Sequence, residues 1–260
     1  DALRQARAGG RPRADQVALV RLLVGLLGKV QGHKSLFVKF QPHMTWFLPV
    51  IQDAFPDTPW IFLYRNPVEV LVSLLVSLDE VQRRAQMSDE EIKFGQAFGM
   101  SKEAYCLSNK TAGGSLFNEK VLPLAQKLTG SLSPRKEDIC AAYLAAVIQP
   151  VLDELIQEDS IGGGQKVKRG KAVPYQASSL ADWLVDYIFP GHFQLSSLDP
   201  EIKEKMKVIA AYKTKAIDNK RTKFKDDGPA KQQEAWKELI ESSSTFLDYA
   251  YFQLMNYIPL

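Results

Sequence analysis

The stretch PWIFLYRNPVEVLVSLL, residues 59–75, constrains this chain more than any other. Trp60–Tyr64 is a continuous apolar run of strand length, the kind that parallel sheets cover on both faces. Arg65, Asn66 and Pro67 interrupt it, and apolar positions then return at helical spacing. Val70, Leu71, Leu74, Leu75 and Leu78 form one stripe, while Glu69, Ser73 and Ser77 fall four apart on another line. Asn66 suits the cap of such a helix, and Pro67 suits its first turn because it has no N–H to leave unpaired. A strand that turns directly into a helix sets Arg65 beside a helix N-terminus carrying about half a positive charge, an anion site in outline. The competing reading pairs Arg65 with Glu69 and leaves Ser73 as helix filler.

Upstream, Asp15 is the expected N-cap of a helix reaching Lys29, with Val17, Val20, Val24 and Leu27 on its apolar side. Residues 35–40, SLFVKF, read as a strand, followed by a turn at Gln41, Pro42 and His43. Residues 44–55 have helical spacing at Phe47, Leu48, Ile51 and Phe55, and Pro56, Asp57, Thr58 and Pro59 stop them. Strand, helix and strand together predict a βαβ unit with parallel strands and a right-handed crossover. The expected fold class is therefore α/β: one domain over residues 1–260, a parallel β-sheet flanked by helices, with a helix-rich C-terminal half.

Of the 260 residues 45% are apolar, enough for a sizeable core, and the formal charge of +3 argues for neither nucleic acid nor a membrane surface. Cys106 and Cys140 lack metal-ligand spacing and are too few for a disulfide framework. The expectation is a reducing compartment, no metal, and Cys140 as a small buried hydrophobe. The most apolar stretch, 17–27, is too short to span a bilayer and carries Arg21, so a soluble chain without a transmembrane segment is expected. The chain opens at Asp1 rather than Met, and the expectation is that upstream residues were removed or are not represented.

The segment KFQPHMTW…PWIFLYRNPVEVLVS resembles sulfotransferases that use 3'-phosphoadenosine 5'-phosphosulfate, particularly bacterial-type members. The resemblance is most specific between Leu36 and Ser73. It implies a sulfotransferase or P-loop NTPase-like sheet, with Arg65 and Ser73 on the nucleotide's 3'-phosphate and His43 as catalytic base. Weaker similarity continues to KAVPYQAS (171–178), implying that Tyr175 reaches the nucleotide, and to the basic residues 212–224, implying that Lys220 and Arg221 close over it. The family's phosphosulfate-binding loop is missing from the N-terminal portion. The expectation is either that an N-terminal portion has been lost or is not represented, or that the resemblance is to a member that no longer catalyses.

Sulfuryl transfer needs positioning, neutralisation of the leaving phosphate and removal of the acceptor's proton. His43, with an ordinary pKa of about 6.5, suits the last task, and Lys39 suits charge neutralisation. Arg65 would hold a phosphate bidentately. Each residue also has a plainer reading: His43 as a polar turn residue, Lys39 as a solvent-facing strand lysine, Tyr175 as a buried tyrosine bonded to backbone, and the basic run as a solvated helix face. The first functional expectation is transfer of a sulfuryl group from 3'-phosphoadenosine 5'-phosphosulfate to a hydroxyl or amine of a small-molecule acceptor. The alternative is a non-catalytic interaction or structural subunit, and a nucleotide kinase is less well supported because it too needs the absent loop. No nucleic-acid partner is expected.

Elsewhere, residues 138–158 read as an apolar-striped helix bent or restarted at Pro150. Residues 88–91 read as a capping box, 110–130 as an acceptor-side loop, and 162–164 as a flexible glycine loop. Residues 244–260 carry aromatics on nearly every side of a helix, which predicts a place inside a core or against a protein partner.

Overall fold

The structure, a computed structural model, describes residues 10–29, 35–84, 106–107, 116–160, 169–175, 180–195, 199–210, 212–214, 221–223 and 227–257. In chain order these form α1 (Arg13–Leu27), a 3-10 helix (Pro42–Phe47), α2 (Leu48–Ala54), β1 (Trp60–Tyr64), α3 (Pro67–Arg84), a π-helical turn (Phe117–Val121), α4 (Leu122–Thr129) and α5 (Lys136–Ser160). They continue as β2 (Gly170–Pro174), α6 (Leu180–Trp183), a π-helical segment (Leu184–His192), α7 (Pro200–Ala210), β3 (Tyr212–Thr214), β4 (Arg221–Lys223), α8 (Gly228–Glu234) and α9 (Lys237–Asn256). The described chain is mostly helical with a small parallel sheet, an α/β arrangement in the coarse sense.

β1 lies where the apolar run places it, but its partner is not residues 35–40. It pairs in parallel with β2, from Trp60 opposite Gly170 to Tyr64 opposite Pro174. Residues 35–40 form no ladder among the described residues, so the expected βαβ unit is corrected. Their apolar content is used side-on instead: the Phe37 ring sits 5.5 Å from Phe189 and 5.4 Å from Phe193. His192 ties the same π-helical segment to the sheet, its Nε2 donating to the Trp60 carbonyl at 3.0 Å. β1 is also less covered than a doubly buried strand, with Leu63 43% exposed. Gly170 is dictated by its cross-strand partner, since a Cβ there would lie 2.7 Å from Trp60 Cε2 and 3.0 Å from Leu155 Cδ2.

The main core joins Trp46 and Phe47 to Leu71, Val72 and Leu75 of α3, Val121, Tyr143 and Val147, and Leu239 and Leu247 of α9. A second core lies under the sheet, where Val151, Leu152 and Leu155 of α5 meet Tyr64, Ala172, Ala250 and Leu254. α5 runs through Pro150 as one helix rather than restarting. Proline has no N–H for the carbonyl four residues earlier, which is Ala146. That carbonyl accepts from the Trp46 indole Nε1 at 2.7 Å, and the Val147 carbonyl beside it accepts from Thr45 Oγ1 at 2.7 Å. The defect in one helix thus anchors the 3-10 helix. Trp46→Phe is expected to cost about 2 kcal/mol by urea denaturation, because it strands a buried acceptor. The loss should shrink in a Pro150→Ala background, where the new N–H can serve Ala146; an undiminished loss would refute the account.

Other expectations are corrected. Cys106 and Cys140 are joined in a disulfide, both fully buried, so the reading of unpaired thiols in a reducing compartment loses its basis. Residues 117–129 of the expected acceptor-side loop are helical. Asp15 lies inside the first turn of α1, which begins after Pro12. The basic run 212–224 contains the antiparallel pair β3 and β4 rather than a loop or helix face alone. α9 is one-sided: Leu239, Phe246, Leu247 and Leu254 are buried, while Tyr249, Phe252 and Met255 are 76%, 56% and 40% exposed. α5 over Lys136–Ile156 is long and apolar enough to cross a membrane by length and composition, and half of that window is buried inside the fold. Residues 88–91 and 162–164 lie outside the described residues.

Candidate oxyanion site at the strand ends

β1 and β2 run in the same direction, so their carboxyl ends open together, and ligands of α/β sheets bind outside such ends. The Tyr175 N–H donates to the Tyr64 carbonyl at 2.6 Å, extending the register one residue past β2. It brings the Tyr175 ring beside Arg65, whose Cζ stands 5.8 Å from the ring centroid. Asn66 caps α3 as the sequence predicts, its Oδ1 accepting from the Val68 N–H at 3.0 Å. The cap fixes the turn from which Arg65 projects.

Arg65 is engaged with two carboxylates. Its Nε donates to Glu69 Oε2, one helical turn on, and its Nη2 donates to Asp227 Oδ1 at 2.9 Å. Glu69 is locked in turn, its Oε1 accepting from Gln232 Nε2 at 2.7 Å. Gly228 makes room for it, since a Cβ there would lie 2.8 Å from Glu69 Oε1. Asp227 Oδ2 pairs with Lys231 Nζ at 2.8 Å. Burial alone would raise the Asp227 pKa, but the hydrogen bonds and charges of Lys231 and Arg65 reverse this and hold it well below the carboxylate range. Burial likewise works against the Arg65 charge, and Asp227 and Glu69 overcome it, leaving the guanidinium more firmly protonated than usual.

The other residues singled out by sequence fall as follows. Ser73 is exposed and its hydroxyl donates to the Glu69 backbone carbonyl at 2.9 Å, one turn back along α3. His43 is buried, 5% exposed, in the 3-10 helix anchored on α5. Lys39 is exposed in residues 35–41. Arg65 and Tyr175 therefore meet; the described partners of Arg65 are Glu69, Asp227 and Tyr175, and His43 is not among them. Lys220 lies outside the described residues, and Arg221 is described only as the first backbone position of β4. Sequence reading missed Asp227, Lys231 and Gln232. The spacing of Asp227 and Lys231 signals a helical ion pair, but nothing local links either to Arg65.

Next to the cluster, the Tyr64 hydroxyl is buried with no hydrogen-bond partner among the described residues. Burial, and then the neighbouring Tyr251, push its pKa up to about 12. The two rings lie 5.6 Å apart, nearly perpendicular, and Tyr251 is itself raised by burial and by the Glu69 charge. A tyrosine raised in the folded state gives up its proton more readily when unfolded. Its contribution is intact below about pH 10 and is lost as the pH rises through about 12. Tyr64→Phe is expected to be neutral or to stabilise by about 1 kcal/mol near pH 8, since it deletes a buried hydroxyl that has no partner among the described residues. It should also flatten the alkaline fall in the urea midpoint; a fall equal to wild type would disprove Tyr64 as its source.

Among the described residues, no group of three or more His, Cys, Asp or Glu is placed to hold a metal. A surface cleft of about 530 Å³ elsewhere is lined by Thr129, Arg135, Asp138, Glu241 and Thr245 among others. Its Arg135 is already held by the buried Asp138, Nε to Oδ2 at 3.0 Å. Compared with protein-family models, with curated proteins and with solved structures, the chain matches none.

Proposed function

We propose that the chain binds a phosphate-bearing nucleotide at the carboxyl ends of β1 and β2 and transfers a sulfuryl group from 3'-phosphoadenosine 5'-phosphosulfate to a hydroxyl or amine of a small acceptor. The observation that carries this reading is the meeting of Arg65, at the end of one parallel strand, with Tyr175, at the end of the other. Both were singled out from the sequence for the same ligand. The guanidinium already presents two donors to oxyanions, and a phosphate offers the same acceptor geometry as the carboxylates now held. The Tyr175 face beside it suits a base or ribose. Ser73 would have to turn its hydroxyl from the Glu69 carbonyl to the ligand. His43 serves as base in this reading, which requires the acceptor to reach a buried position.

The expected result is that 3'-phosphoadenosine 5'-phosphate binds at least about tenfold tighter than adenosine 5'-phosphate by calorimetry, a gap of about 1.4 kcal/mol. Equal weak binding of the two would remove the nucleotide reading. His43→Gln is expected to abolish sulfuryl transfer while nucleotide affinity changes little; full turnover in that variant would take His43 out of the mechanism.

An interaction subunit is the second reading. It is favoured by the exposed Leu22, Leu23, Leu26 and Leu27 of α1, with Tyr249 and Phe252 of α9, and by the neutralisation of Arg65 within the fold. In that case neither nucleotide binds.

A further inference from the structure

We infer that Arg65 and Lys231 form a two-cation cradle for a phosphate-type oxyanion, and that Asp227 fills it as an exchangeable internal counter-ion. This deepens the nucleotide reading: it adds Lys231 to the anion site and makes Asp227 the competitor that a ligand displaces. The geometry is that of one carboxylate bracketed by two cations. Asp227 Oδ1 lies 2.9 Å from Arg65 Nη2, and its Oδ2 lies 2.8 Å from Lys231 Nζ.

The three side chains differ in how far they are covered. The side chains of Lys231 and Arg65 are 18% and 20% exposed, whereas that of Asp227, lying between them, is 34% exposed. Surface ion pairs normally run the other way for lysine, whose ammonium reaches outward for water while its stem is covered. Here the side chains of both cations are more covered than that of the anion they bracket, which leaves the anion the most accessible of the three.

Glu69 has a different part. Its side chain is 11% exposed, and it is held by Arg65 Nε, by Gln232 and by the close approach of Gly228. It orients the guanidinium so that Nη2 remains directed at the bracketed position. With Asp227 swung aside, two cations and one fixed carboxylate leave a net positive site at the sheet's carboxyl edge. A phosphate monoester or sulfate matches it in charge and in oxygen geometry.

The test uses the full chain and inorganic phosphate as probe, by thermal shift at constant ionic strength with chloride as reference. Asp227→Asn is expected to bind phosphate about tenfold tighter than wild type, and the gain should vanish in Asp227→Asn combined with Lys231→Met. A structural ion-pair cluster would instead lose stability and gain no phosphate response, and that outcome overturns the proposal. So does a gain that survives removal of Lys231. Asp227→Ser is read alongside, in case the asparagine variant does not fold, and Lys231→Met alone should weaken the phosphate response of the otherwise native chain. The nucleotides separate this proposal from the broader reading. A phosphate gain without preference for the 3'-phosphorylated nucleotide keeps the cradle and sinks the nucleotide reading. A preference with no gain on removing Asp227 keeps the reading and sinks the counter-ion.

Discussion

Arg65→Ala is expected to destabilise the fold by about 2–3 kcal/mol and to erase any preference for a 3'-phosphorylated nucleotide. The stability loss comes from what the guanidinium leaves behind. Glu69 is buried, 9% exposed, and loses its cation while Gln232 alone remains on one of its oxygens. Asp227 keeps Lys231 but loses Arg65. An uncompensated buried carboxylate costs more than a surface pair gains, and the 20% exposure of Arg65 keeps the figure below the range for a fully buried pair. Arg65→Lys should recover little, because one ammonium cannot serve Glu69 and Asp227 in the directions that Nε and Nη2 take. Urea midpoints of the two variants decide it: a lysine variant as stable as wild type would reduce the role of Arg65 to charge alone. The cluster also sets an acid limit. A carboxyl held below its ordinary range contributes stability above its unfolded pKa of about 3.8, and that contribution fades as the pH falls further. In Arg65→Ala the acid limb should therefore be shallower.

Breaking the Cys106–Cys140 bridge is expected to cost about 3–4 kcal/mol, through the entropy returned to the unfolded chain when a loop spanning 34 residues is opened. For a chain of this size that corresponds to a fall in Tm of about 6–16 °C, read by calorimetry with and without reductant. Both sulfurs are fully buried, so reductant should act only after partial unfolding, and the native protein should show no thiol reaction. The double variant Cys106→Ala, Cys140→Ala should match the reduced wild type, apart from a small packing loss. Two reactive thiols in the denatured, unreduced chain would remove the bridge and restore the reading of Cys140 as a plain core residue.

What was legible in the sequence was local. Trp60–Tyr64 forms a strand because five apolar residues between breakers have no helical period to follow, and α3 begins at Pro67 because Asn66 can reach the Val68 N–H from two residues away. The Arg65 and Glu69 pairing was likewise one of two stated alternatives, since residues four apart on a helix are neighbours whatever the fold. Tyr175 was singled out by resemblance and does come to Arg65. Residues 35–40 misled because β propensity describes a residue that fits a half-buried pleated surface, and here Phe37 found aromatic neighbours without a ladder.

The sequence by itself determined the strand, the capped helix behind it and the cation at their junction, because each rests on contacts within a few residues along the chain. Tertiary structure alone decided that β2 would be the strand's partner, that Cys106 would meet Cys140, that Trp46 would serve the carbonyl Pro150 leaves open, and that Asp227 and Lys231 would close on Arg65. Those pairings join residues far apart in the chain, and their geometry exists only once the core has brought the segments together.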